Sequence, residues 1–92
     1  MKKTIYLDNA ATTKTRPEVV EAMFPYFTEF YGNPSSIYSF SDEPKKAVAA
    51  GREAIAKSIG AKTNELYFTG GGSESDNWAL KATAEAYKSK GN

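Results

Sequence analysis

Three consecutive glycines followed by a serine, residues 70–73, form the part of this chain best suited to hold an anion. They follow a short apolar run and precede a segment with helical periodicity. The first amides of a helix have no partner inside the helix, and the helix dipole adds partial positive charge there. Glycine lets a ligand approach the backbone closely and permits positive φ angles. The pattern therefore predicts that Gly71, Gly72 and Ser73 hold a phosphate or a carboxylate.

A purely structural interpretation of this loop remains open. The glycines could form only a tight turn, with Ser73 capping the helix and Asp76 completing a capping pair. The loop is not a Walker P-loop, because no Lys-Ser or Lys-Thr pair follows at the required spacing. It is not a dinucleotide-binding fingerprint either, because its glycines are contiguous. Glu74 and Asp76 beside the loop disfavour a triphosphate, so the residues favour a phosphate monoester as ligand.

The composition leaves the chain without most of the side chains that perform catalysis. Its 92 residues include no Cys and no His, which excludes a disulfide, a thiolate nucleophile and the commonest general base. We predict no catalytic residue and no metal ligand within it. The net charge is +1 with acids and bases interleaved, so neither a nucleic acid nor a membrane is an expected partner. A signal peptide and an apolar run of about 18 residues are both missing, so a cytoplasmic location is expected.

Two short β-prone segments and one helix surround the glycine loop in the predicted order of elements. Residues 5–7 and 64–69 are predicted strands, and a helix is predicted from Ser73 to about Lys90. The coarse order is β-α-α-β-loop-α. Two strands so far apart in sequence do not make a sheet by themselves, and a parallel sheet is covered on both faces. The order therefore predicts the opening part of a larger α/β protein.

Two further helices are predicted upstream of the loop. Thr15 is placed to cap the first helix, and Pro25 should kink or divide it. The second should begin near Ser41 and end at Gly60, a typical C-terminal stop. Gly51 lies in the apolar stripe of this second helix, which suggests close packing against a neighbour. The aromatic residues of the first helix are interpreted as a packing stripe rather than a ligand wall.

Four stretches of the sequence carry a resemblance to a known family. They are YLDNAATT at residues 6–13, GNPSSIYSF at 32–40, KAVAAGREAIAKSIGA at 46–61 and FTGGGSESDNWAL at 68–80. In this order and spacing they resemble the N-terminal part of the class-V aminotransferases, specifically the NifS/IscS-like cysteine desulfurases. The resemblance covers essentially the whole chain.

The resemblance implies a particular fold and reaction. The fold would be the N-terminal portion of the large domain of a pyridoxal 5′-phosphate-dependent transferase of fold type I, a three-layer α/β/α arrangement with a mostly parallel sheet, incomplete in this chain. Residues 1–14 would form an extended segment or strand near the small domain, and residues 15–92 the start of the cofactor-binding large domain. The family consists of homodimeric enzymes that convert L-cysteine to L-alanine and pass the sulfur, as a persulfide, to acceptors such as iron–sulfur scaffolds or thiolation pathways.

The resemblance also implies roles for individual residues. Gly72 and Ser73, with Gly71 beside them, match the loop that holds the cofactor phosphate. A weaker correspondence places four residues near the substrate: Asn9, Ala10, Ala11 and Asn33. Relatives often have His where Tyr38 stands and Gly where Ser41 stands, which puts the contacts of that His in doubt.

The Schiff-base lysine and the sulfur-accepting cysteine of the family would lie in the remaining C-terminal part of the enzyme. The chain alone is therefore expected to be inactive and to need that part as a partner. Three alternatives stay open: a selenocysteine lyase or close relative, an inert truncated fragment that acts only as a self-associating or partner-binding module, and a generic anion-binding α/β piece. A generic anion site would not need the three motifs outside the glycine loop, so their presence disfavours the last alternative.

Overall fold

The computed structural model describes residues 2–91, so Met1 and Asn92, which the predicted domain segments 1–14 and 15–92 include, lie outside the described residues. The chain divides into two compact units, Met1–Gly51 and Arg52–Asn92. Each unit is described by itself below. Within the described residues, no helix is both long and apolar enough to cross a membrane.

The first unit begins with a turn that precedes helix α1, Pro17–Met23. The carbonyl of Asp8 accepts hydrogen bonds from the amides of Ala11 and Thr12 at 3.0 and 3.5 Å. Helix α1 is capped by Arg16 without a side-chain hydrogen bond, so the prediction of Thr15 as the cap is wrong by one residue. The physical reason is Pro17, whose fixed φ is suited to the first helical position.

Pro25 divides the aromatic segment as predicted. Helix α1 stops at Met23, and a second short helix, α2, spans Pro25–Thr28. Proline has no amide hydrogen to donate to the preceding turn, so the ladder of hydrogen bonds is interrupted there. The amides of Glu29 and Phe30 both donate to the Pro25 carbonyl, at 2.8 and 2.9 Å, and this closes α2.

Helix α3, Asp42–Ser58, is the longest element and confirms the predicted helix between Ser41 and Gly60. It is preceded by a 3₁₀ turn, Ser39–Ser41. It ends before Gly60, whose φ of 69° is left-handed and is accessible to glycine without strain. Gly51 has no atom within 4 Å of an added Cβ beyond its own helix backbone, so the predicted close packing at Gly51 is absent among the described residues.

The second unit places an extended segment between a 3₁₀ turn, Thr63–Glu65, and helix α4, Gly72–Ala86. Leu66 is extended, with φ −106° and ψ 129°. The predicted helix after the glycines is confirmed, but it begins at Gly72 rather than after Ser73 and ends before the expected Lys90.

The predicted sheet is not formed by the described residues. Residues 5–7 and 66–69 are not paired as strands, and residues 63–65 form a 3₁₀ turn where the second strand was expected to start. A strand is defined by hydrogen bonds to a neighbouring strand, and the described part of the chain offers these segments none. The apolar core is correspondingly small. Within the described chain, the buried apolar residues are Pro44 and Ala56, and Ala56 is 1% exposed.

Candidate functional site

The candidate site is the glycine loop that leads into helix α4. Gly71 is the N-cap of this helix, and no side chain forms a capping hydrogen bond to it. Among the described residues, nothing accepts a hydrogen bond from the amides of Gly71, Gly72 or Ser73. Three neighbouring donors are thus available at the positive end of a 15-residue helix.

The loop is held in place by side chains on both sides of the glycines. The hydroxyl of Thr69 lies 2.6 Å from the hydroxyl of Ser75 and donates to the Gly71 carbonyl at 3.0 Å. The carboxylate of Glu74 accepts a hydrogen bond from the Gly70 amide at 2.8 Å. These contacts link the end of the extended segment to the first turn of α4, and they leave the amides of the next three residues free.

The glycines of the loop are open to solvent on the side where a Cβ would stand. An added Cβ at Gly71 or Gly72 would meet no atom within 4 Å, whereas at Gly70 it would lie 3.1 Å from the Glu74 carboxylate. Gly71 has a φ of 167°, which is extended backbone that any residue adopts. A positive φ, the expected reason for glycine in this loop, therefore does not explain why residue 71 is glycine. The open space gives a ligand close access to the backbone.

Ser73 lies within the first turn of α4, so the prediction that it caps the helix with Asp76 is wrong. The cap falls two residues earlier because Gly71 already adopts the non-helical conformation of an N-cap. The Ser73 carbonyl accepts a hydrogen bond from the side chain of Asn77 at 2.8 Å. Its exposed hydroxyl stands beside the free amides and can donate to the same anion.

The other predicted site residues belong to the first unit. Asn9, Ala10 and Ala11 lie in the exposed turn after Asp8. The side chain of Asn33 accepts a hydrogen bond from the Ser35 amide at 2.9 Å, which makes it the start of a local turn. The structure thus brings Gly71, Gly72 and Ser73 together, and it places the four remaining residues on separate turns of the first unit.

An apolar groove of about 400 Å³ shares Thr69 and Ser75 with the network that holds the loop. Tyr67 and Trp78 form one wall, with ring centroids 5.4 Å apart. The groove does not include the three residues with free amides. It therefore supplies an apolar surface beside the loop rather than the anion contacts themselves.

Sequence reasoning missed three residues that organise the loop: Arg52, Thr69 and Glu74. The guanidinium of Arg52 donates a hydrogen bond to the Leu66 carbonyl and lies 4.7 Å from the centroid of the Phe68 ring. Glu74 stands at the third position of α4, where a capping-box carboxylate is common, so its role could have been found from the spacing. The role of Arg52 depends on a contact between residues 14 positions apart, which no local pattern encodes.

The comparison with known families matches almost the whole chain. The profile of the family described as aminotransferase class-V matches residues 5–92. The chain belongs to this family. The resemblance carried by the four sequence motifs is thereby confirmed.

Individual relatives are cysteine desulfurases. The chain is 60% identical over 92 residues to the cysteine desulfurase IscS of Clostridium botulinum (strain Kyoto / Type A2), covering 100% of this chain and 23% of the relative. It is 55% identical over 89 residues to the cysteine desulfurase IscS of Methanosarcina thermophila, covering 97% of this chain and 22% of the relative. The chain thus spans about a quarter of the length of the curated relatives it matches.

A solved structure has the same fold over this region. A NifS-like protein superimposes with a TM-score of 0.85 and 38% sequence identity, covering 92% of this chain and 23% of the other. This likeness supports a fold assignment to part of a pyridoxal 5′-phosphate-dependent transferase of fold type I.

Proposed function

We propose that this chain is part of a pyridoxal 5′-phosphate-dependent cysteine desulfurase and supplies the loop that binds the cofactor phosphate. The observation that carries the proposal is the identity of 60% over all 92 residues to a cysteine desulfurase. In the proposed reaction the carbon–sulfur bond of L-cysteine breaks, an enzyme thiol receives the sulfur as a persulfide, and L-alanine is released. The chain contains no Cys, so that thiol belongs to the remaining C-terminal part.

The residues of the loop fit a phosphate monoester. The amides of Gly71, Gly72 and Ser73 have no acceptor among the described residues, and the Ser73 hydroxyl stands next to them. Together they offer up to four donors and the positive end of α4 to a dianionic group. When bound, pyridoxal phosphate would supply the electron sink that the reaction requires. The role of this chain is to bind and orient the phosphate.

Other parts of the proposal depend on the family likeness alone. Residues 1–14 are proposed to lie near the small domain and residues 15–92 to open the cofactor-binding large domain, whose sheet would complete the α/β/α layers. Asn9, Ala10, Ala11 and Asn33 are proposed to lie near the substrate. The proposed partners are L-cysteine, a second copy in a homodimer, and sulfur acceptors such as iron–sulfur scaffolds. The proposed location is the cytoplasm.

A second candidate function is an inert module that associates with itself or with another protein. The observation in its favour is the exposure of large apolar side chains, including Leu7 at 88%, Ile37 at 95% and Leu80 at 73%. Such surfaces mark association sites when they are contiguous. This candidate requires a chain that folds cooperatively by itself and has no affinity for the cofactor.

Co-expression of this chain with the C-terminal three quarters of a relative tests the proposed function. We expect the two polypeptides to co-purify, to bind pyridoxal 5′-phosphate with its visible absorbance band, and to release sulfide from L-cysteine under reducing conditions. The chain alone should neither show the absorbance band of the bound cofactor nor release sulfide from L-cysteine. A folded, co-purifying pair without cofactor absorbance and without sulfide release would contradict the proposal and favour the inert module.

The substitution Ser73→Ala tests the phosphate contact itself. We expect the dissociation constant for pyridoxal 5′-phosphate to increase about tenfold in the assembled enzyme, because one hydrogen bond to a charged group is lost. Ser89→Ala, at an exposed position remote from the loop in sequence, is the matched control and should change nothing. Equal effects of the two substitutions would contradict the assignment. Equilibrium titration followed by absorbance measures both constants.

A further inference from the structure

Arg52 connects helix α3 to the segment that leads into the glycine loop. Its guanidinium donates to the Leu66 carbonyl and lies over the Phe68 ring, 4.7 Å from the centroid. The side chain is half-buried. A planar guanidinium can donate along its edge and stack through its face at the same time, which the ammonium of lysine cannot do.

The contacts of Arg52 continue without interruption into the loop. Phe68 is followed by Thr69, whose hydroxyl contacts both the Gly71 carbonyl and the Ser75 hydroxyl. On the other side, Glu74 accepts a hydrogen bond from the Gly70 amide. The loop is therefore fixed at its helix end by α4 itself. Its other end is continuous with the extended segment, whose Leu66 carbonyl accepts the hydrogen bond from Arg52.

We propose that Arg52 is a positioning residue for the phosphate loop, acting through Leu66 and Phe68 to hold the free amides of Gly71, Gly72 and Ser73 in one binding geometry. A charged, half-buried donor bonded to the backbone of this segment limits its motion, and the contact with the Phe68 ring fixes a second point two residues further on. No carboxylate forms a salt bridge with Arg52 within residues 2–91, which leaves the guanidinium committed to these two contacts. The link to phosphate binding rests on the proposed function.

Amide hydrogen exchange in the chain assembled with the C-terminal part of the enzyme tests the positioning role without any cofactor. In Arg52→Gln we expect exchange of the Leu66 and Gly70 amides, which donate to the Thr63 carbonyl and the Glu74 carboxylate, to rise about tenfold, because a hydrogen bond from a charged donor that orders this segment is lost. Exchange in the second half of α4 should not change. Arg16→Gln is the matched control, since Arg16 is the other arginine and pairs at the surface with Glu18 at 2.5 Å. Unchanged exchange at Leu66 and Gly70, or a uniform rise throughout α3 and α4, would overturn the proposal.

Cofactor binding in the assembled enzyme provides the specific readout. We expect Arg52→Gln to weaken binding of pyridoxal 5′-phosphate about tenfold and to leave binding of pyridoxal, which has no phosphate, unchanged. Arg52→Lys keeps one donor and the charge, so it should fold and show a smaller loss. An equal loss for both ligands would mean a merely structural role and would overturn the inference. If the unsubstituted enzyme binds neither ligand, the proposed function fails, and hydrogen exchange still decides the role of Arg52.

Discussion

Ser41 carries a buried hydroxyl that has no hydrogen-bond partner among the described residues. Its exposed fraction is 0%, and its Oγ would lie 3.1 Å from a Cβ added at Gly32. An unsatisfied buried polar group costs about 1–3 kcal/mol. The unpaired hydroxyl therefore destabilises the start of α3.

Replacement of Ser41 by Ala should therefore stabilise the chain. We expect the free energy of unfolding to rise by about 1 kcal/mol, because the unpaired hydroxyl is removed while the packing volume is almost retained. The control is Ser39→Ala, an exposed serine of the same 3₁₀ turn, which should change stability by less than about 0.5 kcal/mol. Urea unfolding of the enzyme assembled with the C-terminal part, followed by circular dichroism, measures both. A loss of stability in Ser41→Ala would mean that the hydroxyl has a partner.

Glu74 links the glycine loop to helix α4. Its carboxylate accepts a hydrogen bond from the Gly70 amide and also stands in the first turn of α4, where negative charge is favourable. Glu74→Ala should lower the stability of α4 by about 1 kcal/mol, the usual size of a lost cap.

A surface glutamate of the same helix provides the comparison for Glu74. Glu85→Ala removes only an exposed pair with Lys88 at 3.2 Å, so it should cost less than about 0.5 kcal/mol. Exchange of the Gly70 and Ser75 amides, which donate to the Glu74 carboxylate and the Gly71 carbonyl, reports the difference. The capping role would be refuted if both variants exchanged at the rate of the parent chain.

At the scale of elements, two glycines that look alike in sequence have opposite surroundings. A Cβ at Gly32 would stand 2.7 Å from the backbone carbonyl of Phe40, which cannot move without shifting the turn before α3. A Cβ at Gly51, inside α3, would meet nothing within 4 Å beyond the helix backbone. The first glycine is required by close approach, and the second only weakens its helix.

Alanine at these two positions should act in opposite directions. Gly32→Ala should destabilise the chain by about 1–3 kcal/mol through overpacking. Gly51→Ala should stabilise α3 by about 0.5–1 kcal/mol, because alanine loses less conformational freedom in a helix than glycine does. Thermal unfolding of the enzyme assembled with the C-terminal part, monitored by circular dichroism, measures both, and each variant serves as the control for the other. Shifts of the same sign would contradict the packing described around these glycines.

At the scale of the whole molecule, the chain exposes many large apolar side chains. Exposed large hydrophobic residues occur in both units, and they include aromatic rings such as Phe27 at 69% and Tyr67 at 65%. A surface of this kind favours association in water. The chain spans 23% of its relative from Clostridium botulinum, so most of the proposed enzyme that could cover these residues lies outside this sequence.

The chain alone should therefore bind apolar dyes and self-associate as its concentration rises. After assembly with the C-terminal part of the enzyme, dye fluorescence should fall and the complex should sediment as one defined species, because the apolar surface is then buried. Dye fluorescence and sedimentation velocity are the measurements. A lone chain that remained monomeric, bound no dye and unfolded cooperatively would instead support an independent module.

The local features of this protein could be predicted from its sequence. Pro25 divides the first helical segment, and Gly60 follows the end of α3. The glycine loop leads directly into α4. Each depends on hydrogen bonds between residues three to five positions apart or on the φ preference of one residue, so a short window of sequence contains the information. The four motifs likewise carried the family, which the match over residues 5–92 confirmed.

Only the tertiary structure decided how the candidate site is held. Arg52 reaches Leu66 across 14 positions, Gly51 is free of neighbours although it lies in an apolar stripe, and Ser41 is buried although serine is usually exposed. The predicted strands at residues 5–7 and 64–69 are not formed: Thr63–Glu65 is a 3₁₀ turn, and residues 5–7 and 66–69 have no partner strand in the described chain. The physical reason is common to all four cases: burial, packing and strand pairing depend on residues that are distant in sequence, whereas a helix satisfies its backbone from its own neighbours.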